Sequence, residues 1–184
     1  PQDHNGGIII VGSHVNKTTR QMEALRQCRC PLEFIEFNQH LVLQPGGLAD
    51  ETARVSALAD QLIGQGHTVA VYTRRDRFDL PGGAGPEEQL RVSTEISDAV
   101  SAIVSNLTLR PSFLIAKGGI TSSDVGTKAL RVYRASVMGQ VLPGIPVWKT
   151  GQESKFPGLP YIIFPGNVGD DQSLRIIVEG LMGV

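Results

Sequence analysis

Phe113-Leu-Ile-Ala-Lys-Gly-Gly-Ile-Thr-Ser-Ser-Asp124 is an apolar run that breaks into paired glycines, then hydroxyls and an acid, then a helical pattern. Phe113 to Ala116 predicts a buried strand, and Gly118-Gly119 predicts a tight turn at which the backbone can approach a bound group. Thr121, Ser122, Ser123 and Asp124 include good helix caps, so the positive end of a helix dipole is expected over the glycines. The natural occupant is an anion, above all a phosphate. The stretch is neither a Walker A loop, because Lys117 precedes the glycines, nor a dinucleotide fingerprint, because a third spaced glycine is missing. From these residues alone an ordinary strand-to-helix turn fits as well as an anion site.

Working outward, the same pattern recurs. Gly7 to Ser13 contains Ile8, Ile9, Ile10 and Val11 before Gly12 and Ser13, which predicts a second buried parallel strand with a loop at its carboxyl end. Thr18 or Thr19 is expected to open a helix running to about Cys28. Strand signals follow over Cys30 to Val42, then a helix over Asp50 to Ile63 stopped by Gly64 and Gly66. His67 to Thr73 predicts another strand, and Arg74 to Gly85 a polar loop. Pro86 marks the start of a long helix to about Leu109, with Ile96, Val100, Ile103 and Leu107 on one face. Beyond Arg131 the pattern changes to short β-prone pieces, Ala135 to Met138, Ile145 to Lys149 and Tyr161 to Phe164. A last amphipathic helix carries Leu174, Ile177, Val178 and Leu181.

Strand and helix alternate four times before residue 131, which predicts an α/β class: a mainly parallel sheet with helices on both faces and a mixed or antiparallel C-terminal extension. The 184 residues suit one domain. A net charge of −1 and a pI near 6.5 argue against a nucleic-acid or anionic-membrane surface as the main partner. No apolar run reaches the ~20 residues of a membrane span. Cys28 and Cys30 are read as reduced thiols of a cytoplasmic protein. The polar opening, Pro1 to Gly7, lacks a signal-peptide pattern and suggests a piece of a longer polypeptide.

Ligands of open α/β sheets bind beyond the carboxyl ends of the strands. Three such places stand out: Gly12-Ser13, Lys117 to Thr121, and Pro165-Gly-Asn-Val-Gly169. Lys117 either neutralises a phosphate or points to solvent. Asp124 either holds Mg²⁺ through water or is a first-turn acid favouring the helix dipole. Asp170 and Asp171 read as a cap and a solvated acid, and Trp148 and Phe156 as adenine borders or core. His14, His40 and His67 have no partner at ligand spacing and are taken as non-catalytic. No nucleophile-and-base set assembles from these positions.

Four segments together, Ile9-Ile-Val-Gly-Ser-His-Val-Asn-Lys-Thr-Thr-Arg-Gln21, Ile115 to Asp124, Gly139-Gln-Val-Leu-Pro-Gly-Ile-Pro-Val-Trp148 and Phe164 to Gly169, resemble the C-terminal nucleotide-binding domain of the four-carbon acid sugar kinase family. The likeness spans almost the whole chain in the same order. It implies an ATP-dependent kinase of two domains, whose N-terminal domain binds a sugar acid of the threonate or erythronate type and carries the catalytic base, while this domain holds ATP with its Mg²⁺. The resemblance carries Ser13, Gly118, Gly119, Ile120, Thr121 and Gly166 over as nucleotide contacts. Gly12, Lys117, Ser122 and Asn167 are secondary candidates, and no catalytic residue is assigned. Ile120 departs from the acid found there in many members. The implied partners are ATP or ADP and the N-terminal domain, with a homodimer left open. A second reading is a module that binds a nucleotide or phosphorylated metabolite without turnover, including as a secreted effector.

Overall fold

The computed structural model describes residues 4–76 and 78–184. Pro1 to Asp3 of the polar opening and Arg77 of the 74–85 loop lie outside the described residues. Seven strands form one sheet: β1 (Ile8–Val11), β2 (Leu32–Phe37), β3 (Thr68–Thr73), β4 (Leu114–Lys117), β5 (Ala135–Leu142), β6 (Ile145–Thr150) and β7 (Pro160–Phe164). Their order is β2-β3-β1-β4-β7-β6-β5. The first five in that order run parallel, and β6 and β5 are antiparallel additions at one edge.

Alternation of side chains along the central strands builds two cores. Ile8 and Ile10 point to the face covered by α2 (Gly47–Gly64), α3 (Pro86–Asn106) and α4 (Gly119–Asp124), with Val55, Ile63 and Ile103 packed against them. Ile9 and Val11 point to the opposite face, under α1 (Asn16–Leu25) and α5 (Ser173–Met182), with Met22, Leu25, Leu174 and Val178. All four residues of β1 are buried, as are all four of β4, which explains why Ile8 to Val11 and Leu114 to Ala116 read as continuous apolar runs rather than as an alternation; Lys117 is the polar exception. Among the described residues no helix is long and apolar enough to cross a membrane.

Connections leave β1 and β4 in opposite directions. From β1 the chain passes through α1 to β2 at one end of the sheet, whereas from β4 it passes through α4 toward β5 at the other. The carboxyl ends of these two neighbouring strands therefore border the crevice at which open α/β sheets bind ligands.

Several boundaries differ from expectation. Helix α1 opens at Asn16, so Thr18 lies inside its first turn and faces the interior. Strand β2 stops at Phe37, because Asn38 accepts a hydrogen bond from His40 N and starts a 3-10 turn, Gln39–Leu43. Helix α4 begins at Gly119, ahead of the hydroxyl run, and continues into a π turn, Val125–Ala129. Strand β5 reaches Leu142, with register shifts that let it run past Gly139. The expected free thiols are corrected: Cys28 and Cys30 form a disulfide, since the turn after α1 holds their Cα atoms 5.4 Å apart, within bridging range.

Candidate functional site

The loops after β1, β4 and β7 close on one another at the strand ends. Gly12 N donates to Lys117 O at 3.1 Å, and Gly118 N donates to Phe164 O at 2.8 Å, so main-chain bonds tie β1 to β4 and β4 to β7 beyond the regular ladder. Contact is close enough that side chains are excluded. A Cβ on Gly12 would stand 2.0 Å from Thr121 Oγ1, and one on Gly166 would stand 3.0 Å from Ser13 Oγ. Gly118 has φ of +120°, a conformation that L side chains resist, and a Cβ there would also press on Ser13 N at 3.2 Å. Gly119, by contrast, is exposed and has open space where its side chain would be. The left-handed demand of the pair therefore falls on Gly118, and Gly119 leaves the backbone open to solvent.

Beside this crest, on the α3 face, lies a cleft of about 540 Å³. It is lined by Gly12, Thr73 and Arg75 at and beyond the strand ends, by Ile120 and Thr121 of α4, by Phe78, and by the apolar side chains of Ile96, Val100 and Val125. That volume and that mixture of apolar wall and few polar groups suit a small organic ligand. Ile120, 73% exposed, contributes surface at the rim rather than core packing.

A family model for the nucleotide-binding C-terminal domain matches residues 8–174. The chain belongs to this nucleotide-binding C-terminal domain family. The match runs through all three strand-end loops and into α5. No curated protein sequence matches the chain. Among solved structures, a domain of unknown function (DUF1537) from Bordetella bronchiseptica, described with bound citrate as a domain-swapped dimer, is 19% identical with a TM-score of 0.73, over 97% of this chain and 41% of that one. A Salmonella typhimurium LT2 protein provisionally named a tRNA synthase is 22% identical with a TM-score of 0.63, over 95% of this chain and 40% of that one. At these identities the likeness is one of fold. The chain spans about two-fifths of the length of these neighbours.

Within this nucleotide-binding domain the expected contact residues fall into two groups. Ser13, Gly118, Gly119, Thr121 and Gly166 are brought together at the crest, with Gly12 beneath Thr121. Asn167 is exposed one residue further on, and its carbonyl accepts from Lys17 Nζ at 3.2 Å. Ser122 turns away: its hydroxyl donates to Ala116 O and Gly118 O and serves the helix start. Lys117 follows neither expected alternative, since it reaches neither outward to a phosphate nor to solvent. It is fully buried, and Nζ donates to Pro165 O at 2.7 Å and Gly166 O at 3.1 Å. Asp124 accepts from Ser97 Oγ at 2.6 Å and pairs with Lys128 at 3.3 Å, so its carboxylate is engaged by protein groups. Trp148 and Phe156 belong to the core and line no part of the cleft.

Three site residues escaped the sequence reading. Thr18 donates to Ser13 Oγ at 3.0 Å and to Gly166 O at 3.1 Å, joining the β1 and β7 loops through one hydroxyl. Arg75 reaches from the end of β3 to Thr19 Oγ1 at 2.8 Å and to Ser13 O, clamping the β1 loop. Among the described residues no carboxylate pairs with Arg75, and burial pushes its guanidinium below its usual range. His14 sits in the same wall, its imidazole held below its ordinary value by burial and then by the Arg75 charge, which favours the neutral ring. The available signal was the strand-end rule itself: Arg75 lies two residues beyond β3, as Ser13 lies two beyond β1.

Proposed function

We propose that the domain holds ATP with its Mg²⁺, the phosphates on the crest of the β1, β4 and β7 loops and the adenosine in the adjoining cleft, as the nucleotide half of a kinase for four-carbon sugar acids. The observation that carries this reading is the convergence of Ser13, Gly118, Gly119 and Gly166 beside a cleft with an apolar wall. Backbone N–H groups in such a turn bind phosphate oxygens through charge-assisted bonds. Arg75 in the cleft wall, bonded to neutral oxygens, adds positive potential.

The sugar-acid specificity comes from the resemblance of four ordered motifs, and citrate, a hydroxy acid, in the Bordetella neighbour is in keeping with an acid acceptor. Acceptor binding and the catalytic base are assigned to an N-terminal domain, because phosphoryl transfer needs an acceptor hydroxyl in line and a group to take its proton. A homodimer agrees with the dimeric assembly of that neighbour.

Titration calorimetry with ADP and ATP, with and without Mg²⁺, tests the nucleotide reading. Saturable heat is expected, and Gly119→Val should reduce affinity at least tenfold with an unchanged melting curve, since its side chain enters open space. Absence of heat at millimolar nucleotide would refute the reading. ADP release with threonate or erythronate is expected from the domain joined to its N-terminal partner and not from the domain alone; turnover by the domain alone would overturn the division of labour.

A further inference from the structure

Lys117 is a buried amine whose partners are all neutral. The side chain has no exposed surface, Nζ donates to the carbonyls of Pro165 and Gly166, and it lies 3.8 Å from the centroid of the Phe164 ring. Among the described residues no acid of the surrounding elements pairs with it, and Glu23 of α1 is exposed. Strand β1 contributes only Ile8 to Val11. From α1 come Lys17, a like charge, and Arg20, which is paired with Asp171. The Asp170 carboxylate accepts from Gln172 N and Ser173 Oγ, and Arg175 of α5 is paired with Glu179. Tyr161 of β7 bonds Ser122 O, and Asp124 and Lys128 of the α4 segment are paired with each other. An isolated ammonium in such a place is costly and tends to shed its proton. Burial, and then the charge of Lys17, push Lys117 down from 10.5 to about 7.

We propose that Lys117 is a positioning residue and buried counter-charge for a phosphate-bearing ligand: the ligand's negative charge draws a proton from solvent onto Nζ, and the resulting ammonium holds the Pro165 and Gly166 carbonyls in the ligand-bound loop. The proposal rests on the reading of the β1, β4 and β7 turns as the phosphate seat. Lys117 immediately precedes Gly118, and the carbonyls it binds belong to the loop that carries Gly166, so the amine lies directly under that seat. An opposite charge nearby favours the charged form, so binding and protonation strengthen each other. The step balances simply: the Nζ lone pair forms one N–H bond with a proton supplied by the buffer. Of the two carbonyls, that of Gly166 also accepts from Thr18 Oγ1, so ammonium formation acts on a contact shared by the β1, β4 and β7 loops.

Calorimetry with MgADP at pH 8, in two buffers of different ionisation enthalpy, reads the proton directly. Wild type is expected to take up close to one proton per ligand, and its affinity to fall by up to about tenfold per pH unit above pH 7. Lys117→Met should bind more weakly, without lysine-linked uptake; Lys117→Arg, always charged, should retain affinity while losing the uptake. Should either variant fail to fold, the wild-type lysine can be followed by NMR with labelled Cε, where its titration is expected near pH 7 alone and well above it with MgADP. Equal proton uptake by wild type and the Met variant, or a lysine that titrates identically with and without nucleotide, would overturn the proposal while leaving nucleotide binding intact. No heat in wild type would overturn the nucleotide reading and this proposal with it.

Discussion

The parallel half of the sheet and the β5–β6 hairpin use glycine and apolar residues in opposite ways. In the parallel half, β1 and β4 are buried along their length and their glycines exclude side chains so that neighbouring loops can touch. In the hairpin, β5 is an edge strand with Val137 72% and Met138 63% exposed, and the ladder to β6 is interrupted by register shifts. Gly118 and Gly139 make the contrast sharpest. Their φ values are +120° and +124°, yet Gly118 stands against Ser13 while a side chain at Gly139 would meet nothing within 4 Å. The same backbone demand serves close contact between loops in one region and an irregular, exposed edge in the other.

The largest expected effect breaks the burial side of this comparison. Ile115→Ala in β4 removes a fully buried side chain between two layers and should cost about 2–5 kcal/mol. Val137→Ala in β5 should stay within roughly 0.5 kcal/mol, because its side chain is already in water. Urea unfolding of both variants checks this, and comparable losses would show that the hairpin is as tightly built as the parallel half.

Next comes the amine buried at the end of β4 in the parallel half. In the unfolded chain Lys117 titrates near 10.5, whereas in the folded protein it titrates near 7, so between those values the unfolded chain holds a proton that the native chain lacks. Stability of the ligand-free domain should therefore rise with pH through this window, by an amount on the order of a few kcal/mol attributable to this residue. Lys117→Met should flatten that slope in denaturation curves taken from pH 7 to pH 10. An unchanged slope would mean that the amine is hydrated in solution.

The smallest effect sharpens the glycine pair. Gly118→Ala and Gly139→Ala place a side chain at nearly the same unfavourable φ, and each should cost about 1–3 kcal/mol in strain. Only Gly118→Ala should also weaken ADP binding in calorimetry. Equal loss of affinity in both would mean that the hairpin communicates with the crest.

Strands β1 and β4 were legible from their own residues. Consecutive apolar side chains running up to a glycine turn predict a strand buried on both faces, because alternating Cβ directions must then all meet core, and the α/β class follows from the repeated strand-helix alternation. The crest glycines were readable for the same local reason: Gly118 owes its place to a φ that its own backbone adopts. Boundaries were less readable where a side chain competed for the backbone, as Asn38 does when it ends β2 and starts a 3-10 turn.

By itself, then, the sequence determined the main run of strands and helices, that the sheet is mainly parallel, and that three of its strands break into glycine turns. Only the tertiary structure decided which of those breaks meet. Thr18 reaches Gly166 across 148 positions, and Lys117 reaches the same carbonyl across 49, contacts that exist because β4 lies between β1 and β7 in the sheet. Nothing local distinguishes a lysine at a strand end that will face water from one that will be covered by a loop arriving from far along the chain. Local conformation depends on a few neighbouring residues, whereas the burial of Lys117, the clamp of Arg75 and the α3 wall of the cleft depend on strand order, which long-range packing alone selects.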